Sequence, residues 1–307
     1  MQALIAPLKE LAEYDEIRKI VRQGKGTIAL SGCVDSQKLH MIYGLSDGLK
    51  YKVIVTYSDL KAKEIYEEYR FYDRNVMLYP AKDLIFFQAD IHGNQLVQER
   101  IKTLRRVVEG KPVTIVTTYA ALMTPQVLWQ EQDIIRTERG GSLDESKLAS
   151  RLVAMGYEKA YQVESPGQFS IRGGIVDIFD LTEENPYRIE LWGDEVDSIR
   201  TFDVDTQRSV ENLSEVFLYP ASEFPTEEDQ RVSFLQYFDP KDTLLYLDEP
   251  VRILEKGEGV EKEFIEAGKR RVEAGYEVSN EEMKLYGVSE VVKEMNRYCG
   301  VGFFTLP

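Results

Sequence analysis

The sequence lacks several features that would place it outside the cytoplasm. Its 307 residues contain no run of about 18 apolar residues, the length needed for a transmembrane helix. Two cysteines, Cys33 and Cys299, are too few for a framework of disulfides. Residues 1–21 mix charged and apolar side chains, which predicts one amphipathic helix and not a signal peptide. We therefore expect a reduced, cytoplasmic protein with no membrane contact.

Positive charge is also scarce. The chain has 38 basic and 53 acidic residues, a net charge of −15. Nucleic-acid-binding proteins usually present a basic face, because neutralising phosphates supplies much of their affinity. The balance therefore disfavours a large DNA footprint. The most basic segment, residues 100–111, is interpreted as a solvated helix face rather than a DNA-binding strip.

The first 125 or so residues alternate strand and helix signals, as parallel α/β sheets do. Apolar strand signals occupy residues 26–32, 51–57, 75–80 and 112–118. Helix signals lie between them, and Ser58 is the expected N-cap of one helix. The same pattern resumes at residues 242–253, followed by a long charged helix at about residues 251–274. The final apolar segment, residues 301–307, is strand-like, which we interpret as a fragment of something longer.

A degenerate phosphate-binding loop follows the first strand. Such loops read G-x-x-x-x-G-K-[ST]. Starting at Gly32, the second glycine is replaced by Gln37, Lys38 keeps the lysine position, and Leu39 stands where a Mg²⁺-binding hydroxyl is needed. Asp35 adds negative charge beside the expected phosphate. The loop therefore predicts a scaffold without nucleotide, in preference to weak ATP binding or hydrolysis.

A second fragment fits the same interpretation. Residues 244–250 form an apolar strand that ends in Asp248 and Glu249, as strands with a Mg²⁺-binding acid do. Together with Lys38, this strand predicts a degenerate helicase-like (P-loop) lobe. No Q-x-x-G-R-x-G-R arginine-finger motif is present.

The middle of the chain has a different pattern. One helix signal at residues 143–156 precedes segments that alternate apolar and polar residues, typical of antiparallel strands. We predict a mainly antiparallel β domain inserted into the α/β lobe. The predicted boundaries are 1–131 for the first part of the lobe, 132–212 for the insert and 213–307 for the second part.

Candidate binding residues lie in this insert. Ile189 and Leu191 share one face of a strand, so Arg188 and Trp192 share the other. Arg172 precedes two glycines, which predict a bend. Arginine and tryptophan are enriched at binding hot spots. The alternatives are a partly buried Trp192 and ordinary surface ion pairs for the arginines.

Other groups in the sequence carry less chemistry. The acidic residues at 194–197 alternate along a strand instead of converging in a loop, so no metal site is expected. His40 and His92 are far apart and are interpreted as structural.

Long motifs at residues 169–209 carry a family resemblance. The segments "FSIRGGIVDIFD", "PYRIELWGDEVDSIR" and "FDVDTQRS" resemble the second domain of the excision-repair protein UvrB. They resemble more closely the matching region of the bacterial transcription-repair coupling factors. The similarity continues through "LYPASEFPT" at residues 218–226 and covers nearly the whole chain from about Gly24.

The resemblance implies a UvrB-like module that recruits UvrA to a stalled RNA polymerase and is itself catalytically inactive. In that family, the ATP- and Mg²⁺-dependent motor and the contacts to RNA polymerase and double-stranded DNA belong to other domains. The resemblance assigns UvrA contact to Arg172, Arg188 and Trp192, and no catalytic residue, metal or cofactor to this chain.

Two alternatives remain open at this point: an active ATP-dependent translocase lobe and a UvrB-like subunit that binds damaged DNA. UvrB has a working phosphate loop and a long aromatic hairpin. The connection after residue 80 is too short for such a hairpin, and Phe86 and Phe87 are interpreted as packing aromatics.

Overall fold

The computed structural model describes residues 2–24, 26–82, 91–223, 231–275 and 284–305. The chain forms two compact units. One comprises Met1–Gln126 and Val232–Pro307, and the other comprises Val127–Arg231. The first unit is therefore built from two separate stretches of chain, and the second unit is contiguous in sequence. The predicted connection between residues 80 and 94, with Phe86 and Phe87, lies largely outside the described residues, as does the end of the motif at residues 224–226.

The elements follow in chain order. The first stretch has 3₁₀ helix Ala6–Glu10, helices α1 Gln2–Ile5, α2 Tyr14–Arg22, α3 Asp35–Leu45, α4 Asp59–Tyr69, α5 Ile91–Val108 and α6 Tyr119–Met123, and strands β1 Thr27–Ser31, β2 Tyr51–Thr56, β3 Val76–Tyr79, β4 Val113–Thr118 and β5 Gln126–Val127. The middle stretch has 3₁₀ helix Glu131–Asp133, helix α7 Glu145–Ala154, and strands β6 Ile135–Glu138, β7 Glu158–Lys159, β8 Gln168–Arg172, β9 Ile175–Ile178, β10 Tyr187–Trp192, β11 Glu195–Phe202, β12 Ser209–Leu213 and β13 Glu215–Leu218. The last stretch has strand β14 Arg231–Val232, 3₁₀ helix Phe234–Tyr237, strand β15 Thr243–Asp248, helices α8 Pro250–Glu273 and α9 Val288–Met295, and strand β16 Cys299–Phe304.

The first unit contains a six-stranded sheet in the order β1-β16-β15-β2-β4-β3. All five neighbouring pairs are parallel. Every residue of β2 and β4 is buried, as expected for central strands of a parallel sheet covered on both faces. The predicted parallel α/β sheet is thus confirmed. Strand β16 lies inside the sheet, between β1 and β15.

Local signals explain where the helices begin. The Ser58 hydroxyl accepts a hydrogen bond from the Lys61 amide at 3.2 Å and caps α4, as predicted.

The prediction of one continuous helix over residues 1–21 is wrong, because the chain there forms α1, a 3₁₀ helix and α2. Pro7 lies at the start of the 3₁₀ helix, where its missing N–H and its ring prevent α1 from continuing. In the part of the chain that is described, no helix is long and apolar enough to cross a membrane.

The second unit contains a six-stranded sheet in the order β12-β11-β10-β9-β8-β7. Its neighbouring strands are antiparallel, except for the parallel pair β7 and β8. Strands β6 and β13 form an antiparallel ribbon. The apolar face of the sheet, α7 and the ribbon share one core, to which the helix contributes Leu148 and Leu152. The opposite face carries charged side chains.

The inserted unit is longer than the predicted segment 132–212. The ribbon explains the difference at the C-terminal side, because β13 pairs with β6 and contributes Val216 and Leu218 to the core of this unit. Farther along, the Ala221 amide donates to the Met155 carbonyl at 2.8 Å. Residues 213–221 therefore pack with the insert.

Candidate functional site

The degenerate phosphate loop is very short. Only residues 32–34 separate β1 from α3, so Gln37 and Lys38 already belong to the first turns of the helix. Gly32 adopts φ +79°, a conformation that favours glycine. The Gln37 side-chain oxygen accepts a hydrogen bond from the Val34 amide at 3.2 Å. A side chain of the protein thus satisfies an N–H group at the helix start, where a phosphate-binding loop offers such groups to its ligand.

Lys38 is committed to two carboxylates of its own chain. Its Nζ lies 2.8 Å from Asp248 Oδ1 and 2.8 Å from Glu249 Oε1, and the side chain is buried. Burial acts against the charged lysine, but the hydrogen bonds to Asp248 and Glu249 outweigh it and raise the pKa of Lys38. Burial likewise opposes charge on Glu249, and the hydrogen bond from Lys38 nevertheless lowers the pKa of Glu249.

The two carboxylates are held from their other sides. The Thr56 hydroxyl donates to Asp248 Oδ2 at 2.9 Å, and the Thr305 amide donates to Glu249 Oε1 at 2.8 Å. Glu249 has φ +59°, a strained left-handed conformation for a residue with a side chain. The surrounding contacts therefore fix Glu249 in an unfavourable backbone state that aims its carboxylate at Lys38.

The remaining loop residues add negative charge and apolar surface. Asp35 lies 2.7 Å from Lys61 and 3.4 Å from Lys38, and the hydrogen bond from Lys61 lowers the pKa of Asp35. Leu39 is buried in the core of the unit, so the position of the Mg²⁺-binding hydroxyl faces inward. Glu64 contacts Lys61 at 3.3 Å. The cluster formed by Lys38, Lys61, Asp35, Glu64, Asp248 and Glu249 thus has two cations and four carboxylates, a net charge of −2 that opposes phosphate binding.

The basic segment at residues 100–111 is not a uniformly solvated face. Arg100 is fully buried and donates to the Pro80 carbonyl at 2.5 Å and to the Tyr79 hydroxyl at 2.6 Å. Arg105 pairs with Glu109 at 2.9 Å. The prediction that the whole segment is solvated is therefore wrong for Arg100, which holds β3 and α5 together from inside.

The two histidines do not form a joint site. His40 Nε2 contacts the Leu4 carbonyl, and its ring stacks on Tyr72 at 5.9 Å between centroids. The side chain of His92 lies outside the described residues. Among the described residues, no group of histidine, cysteine, aspartate and glutamate side chains is arranged to hold a metal ion.

On the charged face of the inserted sheet, Arg188 is largely buried by its partners. Its Nε and Nη2 donate to the two oxygens of Asp177 at 2.7 and 2.8 Å, and Nη2 also donates to Gln207 at 2.9 Å. The guanidinium lies over the Phe202 ring at 4.1 Å. The expectation that Arg188 is an exposed contact residue is therefore wrong as regards exposure, because only 14% of its side chain reaches solvent.

Arg172 is more accessible. It ends β8, and Gly173 and Gly174 follow with φ +57° and +83°, as a two-residue turn of a tight hairpin requires. The predicted bend is thus confirmed. Arg172 Nη2 lies 3.6 Å from Asp177 Oδ2, and 42% of the side chain is exposed.

Trp192 is exposed, which removes the alternative of a partly buried core residue. It lies at the end of β10 with 84% of its surface accessible. The amide of the preceding residue, Leu191, donates to the Gly174 carbonyl at 2.7 Å. Trp192 is therefore at the same end of the sheet as the hairpin turn after Arg172.

Within the cluster of Arg172, Asp177 and Arg188, the charges do not cancel, although Glu195 opposite Trp192 adds negative charge elsewhere on this face. Asp177 is shared by two arginines, Arg172 and Arg188, which leaves one excess positive charge. The neighbouring pair is neutral: Arg200 donates to Glu190 at 2.7 Å, and this hydrogen bond lowers the pKa of Glu190 to about 2. Since Asp177 is already held by two hydrogen bonds from Arg188, the excess charge is carried by the accessible Arg172. Asp177 was not among the predicted site residues, because its only signal in the sequence is its place in the strand alternation.

Residues 135–224 match the UvrB interaction domain family. This stretch runs from β6 to just beyond β13 and includes the charged face, so the similarity to this family lies in the second unit.

Two longer proteins are similar to about three quarters of the chain. The chain is 32% identical over 238 residues to the transcription-repair-coupling factor of Bacillus subtilis (strain 168), covering 76% of the chain and 20% of that protein. It is also 32% identical over 237 residues to the transcription-repair-coupling factor of Staphylococcus aureus (strain MRSA252), covering 75% of the chain and 20% of that protein. The chain is thus a relative of the bacterial transcription-repair coupling factors, and the predicted resemblance is confirmed. It spans about a fifth of the length of the curated relatives it matches.

Proposed function

We propose that this chain is a UvrB-like adaptor module that binds UvrA and brings it to a stalled RNA polymerase in transcription-coupled excision repair. The module performs no catalysis and needs no cofactor. ATP, Mg²⁺, RNA polymerase and double-stranded DNA are handled by other domains of the longer relatives. The proposal depends mainly on one observation: Trp192 is exposed at the same end of the sheet as the accessible Arg172, within the segment that matches the UvrB interaction domain family.

The physical case for a contact surface is the combination of these two side chains on ordered strands. An exposed indole can fill an apolar pocket of a partner, and a guanidinium can bind a carboxylate with two hydrogen bonds. The backbones that carry both side chains are held by paired strands, so little backbone ordering is needed on binding. Arg188 contributes indirectly, by holding Asp177 and thereby the strand that lies between Arg172 and Trp192.

Trp192→Ala should weaken the complex with UvrA at least thirtyfold in isothermal titration calorimetry, since truncating a hot-spot residue typically costs 2 kcal/mol or more. The melting temperature should stay nearly unchanged because Trp192 is exposed. Phe71→Ala is the matched control: Phe71 is 89% exposed but lies in the other unit, and its loss should leave binding intact. Equal binding by Trp192→Ala and the unmodified chain would contradict the assignment of this surface.

The nucleotide site should be inactive. We expect the melting temperature in millimolar Mg-ATP to equal that in Mg²⁺ alone, because Lys38 is paired with Asp248 and Glu249. A ligand at 100 times its dissociation constant would stabilise the fold by about 2.7 kcal/mol. A rise of several degrees would therefore show a working site. The double variant Gln37→Gly/Leu39→Thr should also fail to hydrolyse ATP, because it leaves Lys38 paired.

The two alternative functions, a motor lobe and a damaged-DNA-binding subunit, are less well supported. The engaged lysine argues against the first, and the net charge of −15 argues against the second.

A further inference from the structure

A second exposed aromatic residue lies beside Arg172. The guanidinium carbon of Arg172 is 5.5 Å from the centre of the Tyr161 ring, within the range of a cation–π interaction. Tyr161 is 86% exposed, slightly more than Trp192. An aromatic ring this accessible does not contribute to the core of its own unit, so its contact with Arg172 calls for another explanation.

The loop that carries Tyr161 is held in place. The Ser170 hydroxyl donates to the Tyr161 carbonyl at 2.9 Å, and Val163 is fully buried two residues later. The Ala160 amide donates to the Phe169 carbonyl at 2.8 Å. The backbone of Tyr161 is therefore fixed against β8, and its ring is presented to solvent at little entropic cost on binding.

Tyr161, Arg172 and Trp192 lie across one end of the inserted sheet. Arg172 on β8 is opposite Ile175 on β9, which is opposite Glu190 on β10, two residues before Trp192. Neighbouring strands are about 4.8 Å apart, so β8 and β10 are roughly 10 Å apart. The sheet thus presents an aromatic ring on the β7 side, the accessible arginine, and a second aromatic ring two strands away.

We propose that Tyr161 is a positioning and contact residue of this surface, and that the surface takes an acidic segment of the partner with its carboxylate on Arg172. This inference rests on the proposed function and adds the chemistry of the partner. Charge complementarity points to an acid, because Arg172 carries the excess positive charge of the Arg172–Asp177–Arg188 cluster. The Tyr161 ring lies against the guanidinium, and the N–H groups that do not face Asp177 are available for a carboxylate of the partner.

The experiment is titration of the full chain with UvrA. Tyr161→Ala should weaken binding about fivefold, the effect of losing one exposed cation–π contact. Tyr161→Phe should bind within about twofold of the unmodified chain, because the ring and not the hydroxyl supports Arg172. In the Arg172→Ala background, Tyr161→Ala should have no further effect. Arg172→Glu should bind more weakly than Arg172→Ala, since it places like charges together.

Salt dependence gives a second readout. Increasing ionic strength should weaken the unmodified complex, and this sensitivity should be smaller for both Tyr161→Ala and Arg172→Ala. A ring that only stabilised the fold would leave the salt dependence unchanged. Phe71→Ala again serves as the control for loss of an exposed aromatic elsewhere.

The outcomes separate the two proposals. If the unmodified chain does not bind UvrA, the proposed function is wrong and this inference falls with it. If it binds and Trp192→Ala weakens the complex, the proposed function stands. The inference is then overturned by normal binding of Tyr161→Ala, by a full additional loss in the Arg172→Ala background, or by equal binding of Arg172→Glu and Arg172→Ala.

Discussion

Arg188→Met should destabilise the inserted unit by about 3 kcal/mol, a large part of the stability of an ordinary domain. The substitution removes both hydrogen bonds to Asp177, a side chain that is only 2% exposed. Breaking a buried ion pair from one side leaves an uncompensated charge, which typically costs 3–5 kcal/mol. We expect a destabilisation at the low end of this range, because Arg172 remains 3.6 Å from the Asp177 carboxylate. Urea denaturation followed by circular dichroism would measure the loss.

Arg136→Met is the matched control for this variant. Arg136 also bridges strands of the insert, donating to Glu215 at 2.9 Å, but 59% of its side chain is exposed. Its loss should leave the urea midpoint nearly unchanged, because exposed ion pairs contribute little to stability. The double variant Arg188→Met/Asp177→Leu should regain much of the stability, because it leaves no buried charge unpaired. Unchanged stability of Arg188→Met combined with lost UvrA binding would instead restore Arg188 as a contact residue.

Lys38→Met should destabilise the first unit by about 4 kcal/mol at pH 8, because Asp248 and Glu249 would face each other without their cation. The pH dependence should also change sign. In the unmodified chain, the lowered pKa of Glu249 contributes stability that is lost as the pH falls through that value, below the ordinary 4.5. The raised pKa of Lys38 contributes stability that is lost only as the pH rises above the ordinary 10.5.

The unmodified cluster therefore stabilises the fold across the neutral range. Without the lysine, protonation of a carboxylate relieves repulsion, so the deficit of Lys38→Met should be smaller at pH 5 than at pH 8. Urea midpoints at the two pH values measure this difference. Arg70→Met, which breaks the exposed pair between Arg70 and Glu67 at 3.2 Å, should show little loss at either pH. An equal deficit for Lys38→Met at both pH values would mean that the two carboxylates do not interact as described.

Local patterns predicted the elements of this fold well. The charged helix expected at about residues 251–274 is α8, Pro250–Glu273, and Pro250 occupies the helix start that suits its fixed φ. The order of the strands was not accessible, because the pairing of β16 with both β1 and β15 joins segments far apart in sequence. A strand pattern shows that a segment is buried but does not identify its neighbours.

In the candidate site, the sequence predicted which side chains face away from the core but not which of them are covered by neighbours. Alternation along β10 correctly separated Trp192 from the core-facing Ile189. It could not show that Arg188 is covered, since this depends on the register that places Asp177 opposite it. Tyr161 lies in a loop without periodicity, so no pattern in the sequence distinguishes it from other surface tyrosines. Its contact with Arg172 arises from the pairing of β7 with β8 and from the hydrogen bonds that hold residues 160 and 161 against β8.

The position of β16 also determines the order in which the two units can be completed during synthesis. All strands of the inserted sheet are made by residue 213, and the core ribbon is made by residue 218. The sheet of the first unit is still missing an internal strand until residues 299–304 leave the ribosome. A nascent chain that ends between residues 249 and 298 thus contains every strand of the inserted sheet, with Tyr161, Arg172 and Trp192, while the first sheet still lacks the strand that lies between β1 and β15.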